Sequence, residues 1–308
     1  MIVVSVVIAV HRSKECLEEL NGQLLDVLER ITPSFEVVYV EDHGGDGSWE
    51  LIKKLATQDR RIKGIKFCRN FGQHYALSAG LDVAEGAHVL LMDCDLQDRP
   101  AEIERLYAKA QEGYDVVLAR RVARTASAPS RLLGALYYRL FDFLTGTNSD
   151  PTVGTFRILS RRAVLAFRTL NERHRVVGGM IQWMGFRTAY IDVAQSERFA
   201  GKSSYSLGRR LALAIDGIFS FSNKPLTLMA KFGALQCVVT TLLAGWIVYL
   251  RISGNIAEIG YVSIMLSIFY LSGIIMLSVG ILGAYIGRIY DQVKARPYYI
   301  IEQTTFDG

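Results

Sequence analysis

The first 120 residues alternate between two hydrophobic patterns. Short runs rich in Val, Ile and Leu predict buried strands, and the segments between them repeat apolar residues at helical spacing. The helical spacing is clearest at Leu17, Leu20, Leu24, Leu25 and Leu28. The predicted strands are residues 2–10, 35–40, 62–67, 89–92 and 114–119. This alternation predicts an α/β fold with a mostly parallel sheet covered by helices on both faces.

The pattern changes after residue 120. Residues 120–131 are rich in arginine and small residues, which predicts a basic loop, and residues 132–144 have the spacing of an aromatic amphipathic helix. Two further strands are predicted at 155–160 and 186–193. The chain beyond residue 120 therefore does not continue the simple strand–helix repeat.

Two shorter segments nearer the C-terminus also have a recognisable pattern. Residues 207–221 carry apolar side chains on one helical face and Arg209 and Arg210 on another. This favours a helix lying on a bilayer surface over a buried core helix. Residues 298–302 predict a short strand that could pair with a sheet edge of this chain or of a neighbouring subunit.

Two long apolar stretches, 232–250 and 259–287, contain no charged residue. Each provides the ~20 residues that cross the hydrocarbon core of a bilayer. The connection between them is short, whereas the outer flanks carry a set of basic residues: Lys224, Lys231, Arg288, Lys294 and Arg296. Because positively charged flanks stay on the cytoplasmic side, we expect a two-helix transmembrane hairpin with both flanks in the cytoplasm.

Composition adds two constraints. Of the 308 residues 50% are hydrophobic, and the apolar excess lies after residue 225. The formal net charge is +5, with basic residues near the apolar segments. This indicates an anionic membrane surface or a phosphorylated ligand rather than nucleic acid, or else an ordinary basic surface. The four cysteines have no paired spacing, so they predict neither a zinc site nor a disulfide framework and fit a reducing compartment.

The strongest chemical signal follows the strand predicted at 89–92. Asp93 and Asp95 come directly after it, with Gln97 just behind. Side chains two positions apart in an extended segment point the same way, so both carboxylates can face one ion. Such hard oxygen ligands suit Mg²⁺ or Mn²⁺. Alternatively, the acidic residues form a turn that caps a helix starting near Pro100.

Two other polar segments follow predicted strands. Asp42 precedes a glycine-rich turn, and Arg69-Asn70-Phe71-Gly72-Gln73 follows the third strand. Ligands of open α/β sheets bind outside the carboxyl ends of the strands, so these segments and the aspartate pair predict a nucleotide pocket. Asp42 alone could simply form a turn. The first strand is not followed by Gly-x-Gly-x-x-Gly, and Gly201-Lys202-Ser203 lacks the upstream glycine of a phosphate loop, which argues against dinucleotide oxidoreductases and P-loop hydrolases.

Together these motifs resemble those of the GT-A glycosyltransferases of family 2. The chain is more closely similar to the polyprenyl-phosphate glycosyltransferases, which include dolichyl-phosphate mannose synthase and bacterial undecaprenyl-phosphate sugar transferases. The resemblance covers almost the whole chain and rests on the two apolar spans and on three motifs: Glu41-Asp42-His43-Gly44-Gly45-Asp46-Gly47-Ser48, Arg69-Asn70-Phe71-Gly72-Gln73 and Asp93-Cys94-Asp95-Leu96-Gln97-Asp98.

The resemblance implies a GT-A (Rossmann-like) domain with a divalent metal, Mg²⁺ or Mn²⁺, at Asp93, Asp95 and Gln97. It further implies nucleotide-sugar contacts at a set of residues on the strand ends: Val10, Asp42, Arg69, Asn70, Gln73 and Asp93.

The chain departs from the family pattern at three places. Its first strand ends Ala9-Val10-His11-Arg12-Ser13, where the family usually has Pro-x-Tyr-Asn-Glu. Gly154-Thr155-Phe156-Arg157 stands where the family often has Gly-Asp-Phe-Arg, which leaves Asp150 as the nearest acid. The lysine of Lys202-Ser203-Ser204-Tyr205 is displaced relative to a motif that usually ends Ser-Lys-Tyr. The expected catalytic residues are Asp95, Asp150 and Arg121, and the expected acceptor-phosphate residues are Arg131, Arg198 and Lys202.

The function implied by the resemblance is an inverting, metal-dependent sugar transfer. The donor would be a UDP- or GDP-sugar and the acceptor undecaprenyl or dolichyl phosphate, giving a lipid-linked sugar for modification of cell-envelope glycans. We expect a homo-oligomer, such as a tetramer, in the inner (cell) membrane with the catalytic domain and both termini cytoplasmic. The expected division is a glycosyltransferase domain at 1–205, an interfacial helix at 206–225, a transmembrane hairpin at 226–290 and a tail at 291–308.

The sequence leaves two alternatives, the second of them from a different class of protein. Processive family 2 polysaccharide synthases carry more membrane spans and a Gln-x-x-Arg-Trp motif, of which only Gln182-Trp183 occurs here. A non-catalytic membrane module with a degenerate transferase domain is the other alternative, and the intact acidic motif argues against it.

Overall fold

The computed structural model describes residues 2–121, 139, 142–143, 150, 152–194, 222, 224–253 and 260–306. Its strands are β1 (Val4–Val10), β2 (Phe35–Glu41), β3 (Ile62–Phe67), β4 (His88–Asp93), β5 (Val116–Arg121), β6 (Val153–Ser160), β7 (Thr188–Val193) and β8 (Ile301–Thr304). Its helices are α1 (Lys14–Ile31), α2 (Ser48–Gln58), α3 (Gln73–Val83), α4 (Ile103–Gln111), α5 (Arg161–Arg168), α6 (Val177–Trp183), α7 (Lys224–Ile252) and α8 (Tyr261–Val293).

The strands form one eight-stranded sheet in the order β7-β5-β6-β4-β1-β2-β3-β8. Strands β4, β1, β2 and β3 are parallel neighbours, which confirms the predicted mostly parallel sheet. Their carboxyl ends, at Val10, Glu41, Phe67 and Asp93, therefore lie along one side of the sheet, which we call the carboxyl edge.

Strand β6 is inserted between β4 and β5 and is antiparallel to both. A plain strand–helix repeat would have placed β5 directly beside β4. The insertion brings the beginning of β6 next to the end of β4, because antiparallel neighbours run in opposite directions, and Leu91 pairs with Arg157. Thr155 and Gly154 thus lie at the carboxyl edge.

Helices α1 and α3 pack on the central strands. Four of the five leucines in the predicted pattern of α1 are fully buried, namely Leu17, Leu20, Leu24 and Leu28, and Leu25 is partly buried. Helix α3 lies so close to β1 that a Cβ atom on Gly80 would be 2.1 Å from Val7 Cγ1. Only a glycine allows this approach, and it fixes the position of Gln73 at the start of the helix.

The C-terminal segment returns to the sheet. Strand β8 pairs antiparallel with the edge of β3, in the same chain, with Ile65 opposite Thr304. Trp49 Nε1 donates to Gln303 Oε1 at 2.8 Å, and Lys66 Nζ lies 3.0 Å from Glu302 Oε1. The short strand predicted at 298–302 therefore exists, begins three residues later and pairs with the chain's own sheet.

Helices α7 and α8 contain the two candidate membrane spans, Lys224–Leu243 and Ser267–Val293. Both are long and apolar enough to cross a bilayer by length and composition. The predicted stretches 232–250 and 259–287 fall largely within these helices. The amphipathic helix predicted at 207–221 lies outside the described residues, as does all of 132–144 except 139 and 142–143.

The chain divides into two compact units. One comprises Met1–Leu132, Asp150–Ser204 and Arg296–Gly308, and the other comprises Leu133–Ser149 and Tyr205–Ala295. The C-terminal residues belong to the first unit because β8 is part of its sheet. The boundaries expected at 205, 225 and 290 stay predictions.

Candidate active site

The acidic motif begins at the last residue of β4 and keeps an alternating pattern beyond it. The side chains of Asp93, Asp95 and Gln97 are partly exposed. The residue that follows each of them is buried: Cys94, Leu96 and Asp98. The three residues predicted to hold a metal therefore share the partly exposed set. Leu96 adopts φ 59°, and the backbone N–H of Gln97 donates to Asp95 Oδ1 at 3.2 Å.

The aspartates of the motif do not cap the helices that follow them. Arg99 occupies the N-cap position of the 3₁₀ turn Pro100–Glu102, and no side chain caps it. The N-cap of α4 is Glu102, again without a side-chain hydrogen bond. The aspartates of the motif are thus available for another role.

Asp93 is held by side chains from other elements. Its Oδ1 accepts a 2.6 Å hydrogen bond from Gln73 Nε2, and its Oδ2 lies 3.9 Å from Arg121 Nη2. Gln73 Nε2 is also 3.4 Å from Thr155 Oγ1. Burial, and then the charges of Asp98 and Asp95, raise the pKa of Asp93 to about 6, against the opposing effects of Thr155 and Arg121. Such crowding of carboxylates is what a bound cation would relieve.

Arg121 pairs with the innermost acid of the motif. Its Nη2 lies 3.1 Å from Asp98 Oδ1 and 3.4 Å from Asp98 Oδ2, and Asp98 is only 2% exposed. Burial raises the pKa of Asp98 despite the neighbouring guanidinium. The guanidinium lies across Gly154, where an added Cβ would be 2.7 Å from its Cζ.

Asp42 organises the loop that follows β3. Its two carboxylate oxygens accept the backbone N–H groups of Phe71 and Gly72, at 2.7 and 2.8 Å. Burial raises its pKa, against the opposing effects of these hydrogen bonds and of two nearby histidines. The structure thus shows Asp42 as a brace for this loop, and its contact with a nucleotide stays a prediction.

The loop presents its polar side chains outward. Arg69, Asn70 and Gln73 are all exposed, and the Arg69 guanidinium lies 4.2 Å from the ring centroid of Phe71. Val10, in contrast, is fully buried, and its carbonyl accepts the N–H of Asp42 at 2.9 Å. Any nucleotide contact of Val10 would have to come from its backbone.

Two histidines that sequence reasoning did not single out link neighbouring strand ends. His11 Nδ1 lies 3.0 Å from the carbonyl oxygen of Asp42, and His43 Nδ1 lies 3.3 Å from that of Phe67. A carbonyl oxygen only accepts, so each contact is a hydrogen bond when Nδ1 carries the proton, whereas the Asn70 amide nitrogen, 3.2 Å from His11 Nδ1, donates to the other tautomer. Their positions directly after two predicted strands were the available signal.

Asp150 is engaged by other partners. Arg120 Nε donates to its Oδ2 at 2.9 Å, and the N–H and hydroxyl of Thr152 donate to its Oδ1. Burial acts to raise the pKa of Asp150, but the Thr152 hydrogen bonds and the Arg120 charge outweigh it, and the pKa lies below the ordinary value. This environment suits a carboxylate that stays ionised and holds Arg120, rather than a proton acceptor.

The expected acceptor-phosphate residues Arg131, Arg198 and Lys202 lie outside the described residues. Thr155, which lies beside Gln73 and Asp93, was not predicted to be a site residue. The sequence comparison with the family showed only that it replaces an acid.

The donor set suits a hard divalent ion. Within the described ranges, no three His, Cys, Asp or Glu side chains form a ready-made metal cage. Mg²⁺, however, is usually held by one or two carboxylates, with waters and substrate phosphates completing its shell. Asp93 and Asp95 meet that requirement, and the only soft ligand in the motif, Cys94, is buried.

Comparison with known proteins gives matches along most of the chain. Residues 5–166 of the chain match the protein family described as "Glycosyl transferase family 2". An uncharacterized glycosyltransferase of Synechocystis sp. is 34% identical over 298 residues, which cover 96% of this chain and 94% of the relative. A prophage-derived bactoprenol glucosyl transferase of Shigella flexneri is 34% identical over 303 residues, with 98% of each chain covered.

Among solved structures, the fold is similar to that of glucosyl-3-phosphoglycerate synthase from Mycobacterium tuberculosis, in complex with Mn²⁺, uridine-diphosphate and phosphoglyceric acid. The TM-score is 0.50 at 15% identity, covering 71% of this chain and 76% of that one. This likeness concerns the fold, whereas the sequence matches extend along the motifs of the carboxyl edge. The chain belongs to glycosyltransferase family 2.

Proposed function

We propose that this protein is a membrane-bound enzyme that transfers a sugar from a nucleotide-diphosphate sugar to polyprenyl phosphate. The observation that carries the proposal is the similarity, over 98% of both chains, to a bactoprenol glucosyl transferase. Two candidate membrane spans support it, because a polyprenyl acceptor is dissolved in the bilayer.

Asp93, Asp95 and Gln97 would hold Mg²⁺ or Mn²⁺. The partly exposed side of the motif supports this, as does the Mn²⁺ bound with uridine-diphosphate in the structural relative. When bound, the metal offsets the negative charge of the leaving diphosphate, the largest electrostatic demand of the reaction.

The chain's own residues would prepare the site. Gln73 fixes the orientation of Asp93 through its 2.6 Å hydrogen bond. Arg121 supplies a positive charge next to Asp93, where phosphate oxygens would lie. Arg69 and Asn70, on the loop braced by Asp42, contact the nucleotide.

The acceptor phosphate is already an anion and can attack the anomeric carbon without a strong general base. The lowered pKa of Asp150 agrees with this, since an ionised Asp150 would keep its bond to Arg120. We assign binding of that phosphate to Arg131, Arg198 and Lys202, and we expect inversion in a single displacement. The basic flanks of the hairpin favour the cytoplasmic side of the cell membrane for the catalytic domain and both termini.

The test is transfer of radiolabelled sugar into lipid by membranes containing the full chain. A panel of UDP- and GDP-sugars identifies the donor. Asp95→Asn should then lower transfer at least about 100-fold, because loss of a metal ligand should cost more than the roughly 10- to 100-fold loss typical of residues that only support a ligand. The matched control is Asp26→Asn on the exposed side of α1, which should transfer normally. Near-normal transfer by Asp95→Asn in saturating Mg²⁺ or Mn²⁺ would refute the assignment.

A further inference from the structure

We propose that Asp98 is a positioning residue that keeps the Arg121 guanidinium away from the metal-binding carboxylate of Asp93. The inference rests on the metal site of the proposed function and adds a residue to it. In this view the last acid of the motif does not bind the metal but controls how strongly Arg121 competes with it.

The distances place one guanidinium between two carboxylates. Arg121 Nη2 is within hydrogen-bond distance of both Asp98 oxygens, at 3.1 and 3.4 Å, but 3.9 Å from Asp93 Oδ2. A backbone hydrogen bond from Asp93 to the Asp98 carboxylate links the two acids directly. A small rotation of the arginine would therefore exchange its partner.

Asp98 differs from the other acids of the motif by its burial. It is 2% exposed, whereas the side chains of Asp93 and Arg121 are each 26% exposed. Water screens the pair with the buried Asp98 less than the pair with the partly exposed Asp93, so the guanidinium favours Asp98. Among the described residues, Arg121 Nε is buried without a hydrogen-bond partner, whereas Nη2 makes the contacts with Asp98.

The sheet holds the arginine on the opposite side. Gly154 allows the guanidinium to lie against the β6 backbone, where a Cβ would be 2.7 Å from both Cζ and Nη2. The neighbouring Arg120 has a different partner, Asp150 at 2.9 Å. The two adjacent arginines thus pair with two separate acids, and of these two it is Arg121 that lies 3.9 Å from Asp93.

If Asp98 loses its charge, Asp93, at 3.9 Å, is the other carboxylate partner of Arg121 among the described residues. An arginine bound to Asp93 would compete with a divalent cation for the same oxygens. Removing Asp98 should therefore weaken metal binding only while Arg121 is present. A direct ligand would behave differently, because its loss weakens binding whatever residue occupies position 121.

The experiment measures the dissociation constant of Mn²⁺ alone by electron paramagnetic resonance, with the purified full-length protein in detergent. Asp98→Asn should weaken Mn²⁺ binding by about tenfold, the lower end of the range for residues that orient metal ligands. Arg121→Gln should tighten it, and Asp98→Asn added to Arg121→Gln should change it less than about threefold, which corresponds to roughly 0.6 kcal/mol. Arg120→Gln removes an equal charge from the adjacent residue and should leave the affinity for Mn²⁺ unchanged.

The outcomes separate the two proposals. If the wild-type chain binds no Mn²⁺ in the millimolar range, the metal site of the proposed function is wrong and this inference with it. If it binds Mn²⁺ and Asp98→Asn weakens binding equally with either residue at 121, Asp98 acts directly and the inference alone is wrong. If the single variant Asp98→Asn does not fold because its arginine is unpaired, the comparison is made in the Arg121→Gln variant. There, adding Asp98→Asn must leave the dissociation constant of Mn²⁺ nearly unchanged.

Discussion

At the scale of single residues, Asp93 gathers partners from three separate elements. Gln73 comes from the start of α3, Thr155 from β6 and Arg121 from the end of β5. A carboxylate held in this way has a fixed orientation before any ligand arrives, which lowers the cost of forming a metal site.

Gln73→Ala should therefore lower turnover by about 10- to 100-fold while the protein stays folded. The reason is the loss of the 2.6 Å hydrogen bond that orients Asp93 Oδ1. Turnover and the metal concentration for half-maximal rate are the quantities to measure. Gln23→Ala on α1, which removes only an exposed hydrogen bond to Glu19, is the control. Unchanged turnover in Gln73→Ala would show that the hydrogen bond has no role in catalysis.

His74, the next residue, makes stability depend on pH. Burial, and then the charge of Arg157, lower its pKa to about 4, and its Nδ1 is buried without a partner among the described residues. Between about pH 6.5 and 4 the unfolded chain binds a proton at this site that the folded chain does not. The free energy of unfolding contributed by this site therefore falls as pH falls through that window, by up to about 3 kcal/mol.

His74→Gln should remove this contribution, so its melting temperature should fall less than that of the wild type between pH 7 and pH 5. The exposed His174, substituted in the same way, is the matched control. An equal loss of melting temperature in wild type and His74→Gln would contradict the assignment.

The alternation within the acidic motif was predictable, because side-chain direction in an extended segment follows from residue number alone. The partners of Asp93 were not, because Gln73 and Thr155 reach it only through the packing of distant segments. For the same reason, the hydrogen bonds by which Asp42 braces a loop were not predictable, and its contact with the nucleotide stays a prediction. A lone carboxylate after a strand is compatible with either role.

At the scale of elements, α3 determines where that loop and Gln73 lie. The helix rests on β1 through Gly80, with no room for a methyl group. The packing contact of Gly80 with β1 therefore determines where the first turn of α3 places Gln73, which donates a hydrogen bond to Asp93.

Gly80→Ala should destabilise the protein by about 1–3 kcal/mol, the usual cost of overpacking. It should also lower transfer, because displacing α3 moves Gln73 away from Asp93. Gly22→Ala is a matched control, since α1 has nothing within 4 Å of that Cβ position. The control should raise stability slightly, by about 0.5–1 kcal/mol, through helix propensity. Chemical denaturation and transfer assays on both variants check this, and equal stability of the two would contradict the packing argument.

The strands were predictable where apolar runs are continuous, and the order of β5 and β6 was not. Strand order depends on which backbone edges pair, and no local pattern encodes the insertion of an antiparallel strand between two parallel ones. That insertion is what brings Thr155 and Gly154 to the candidate site.

At the scale of the whole molecule, the distribution of charge predicts the orientation. Basic residues flank the apolar helices on their outer sides, and the connection between them is short. A chain with this arrangement places both outer ends on the same side of the bilayer.

In a cysteine-free background, a cysteine at Asn255 should react with an impermeant thiol reagent added outside intact cells. A cysteine at Asp307 should react only after the membrane is opened. The opposite labelling pattern would place the candidate active site on the side without nucleotide sugars and overturn the proposed topology.

The pairing of β8 with β3 also has a consequence for the order of synthesis. Lys66 and its partner Glu302 are 236 positions apart, and both apolar helices lie between them. At about 5–20 residues per second, a ribosome takes roughly 12–50 s to make the chain that separates them. Throughout that interval the outer edge of β3 is an open template for any other strand. The catalytic sheet is thus completed only by residues that are synthesised after both apolar helices.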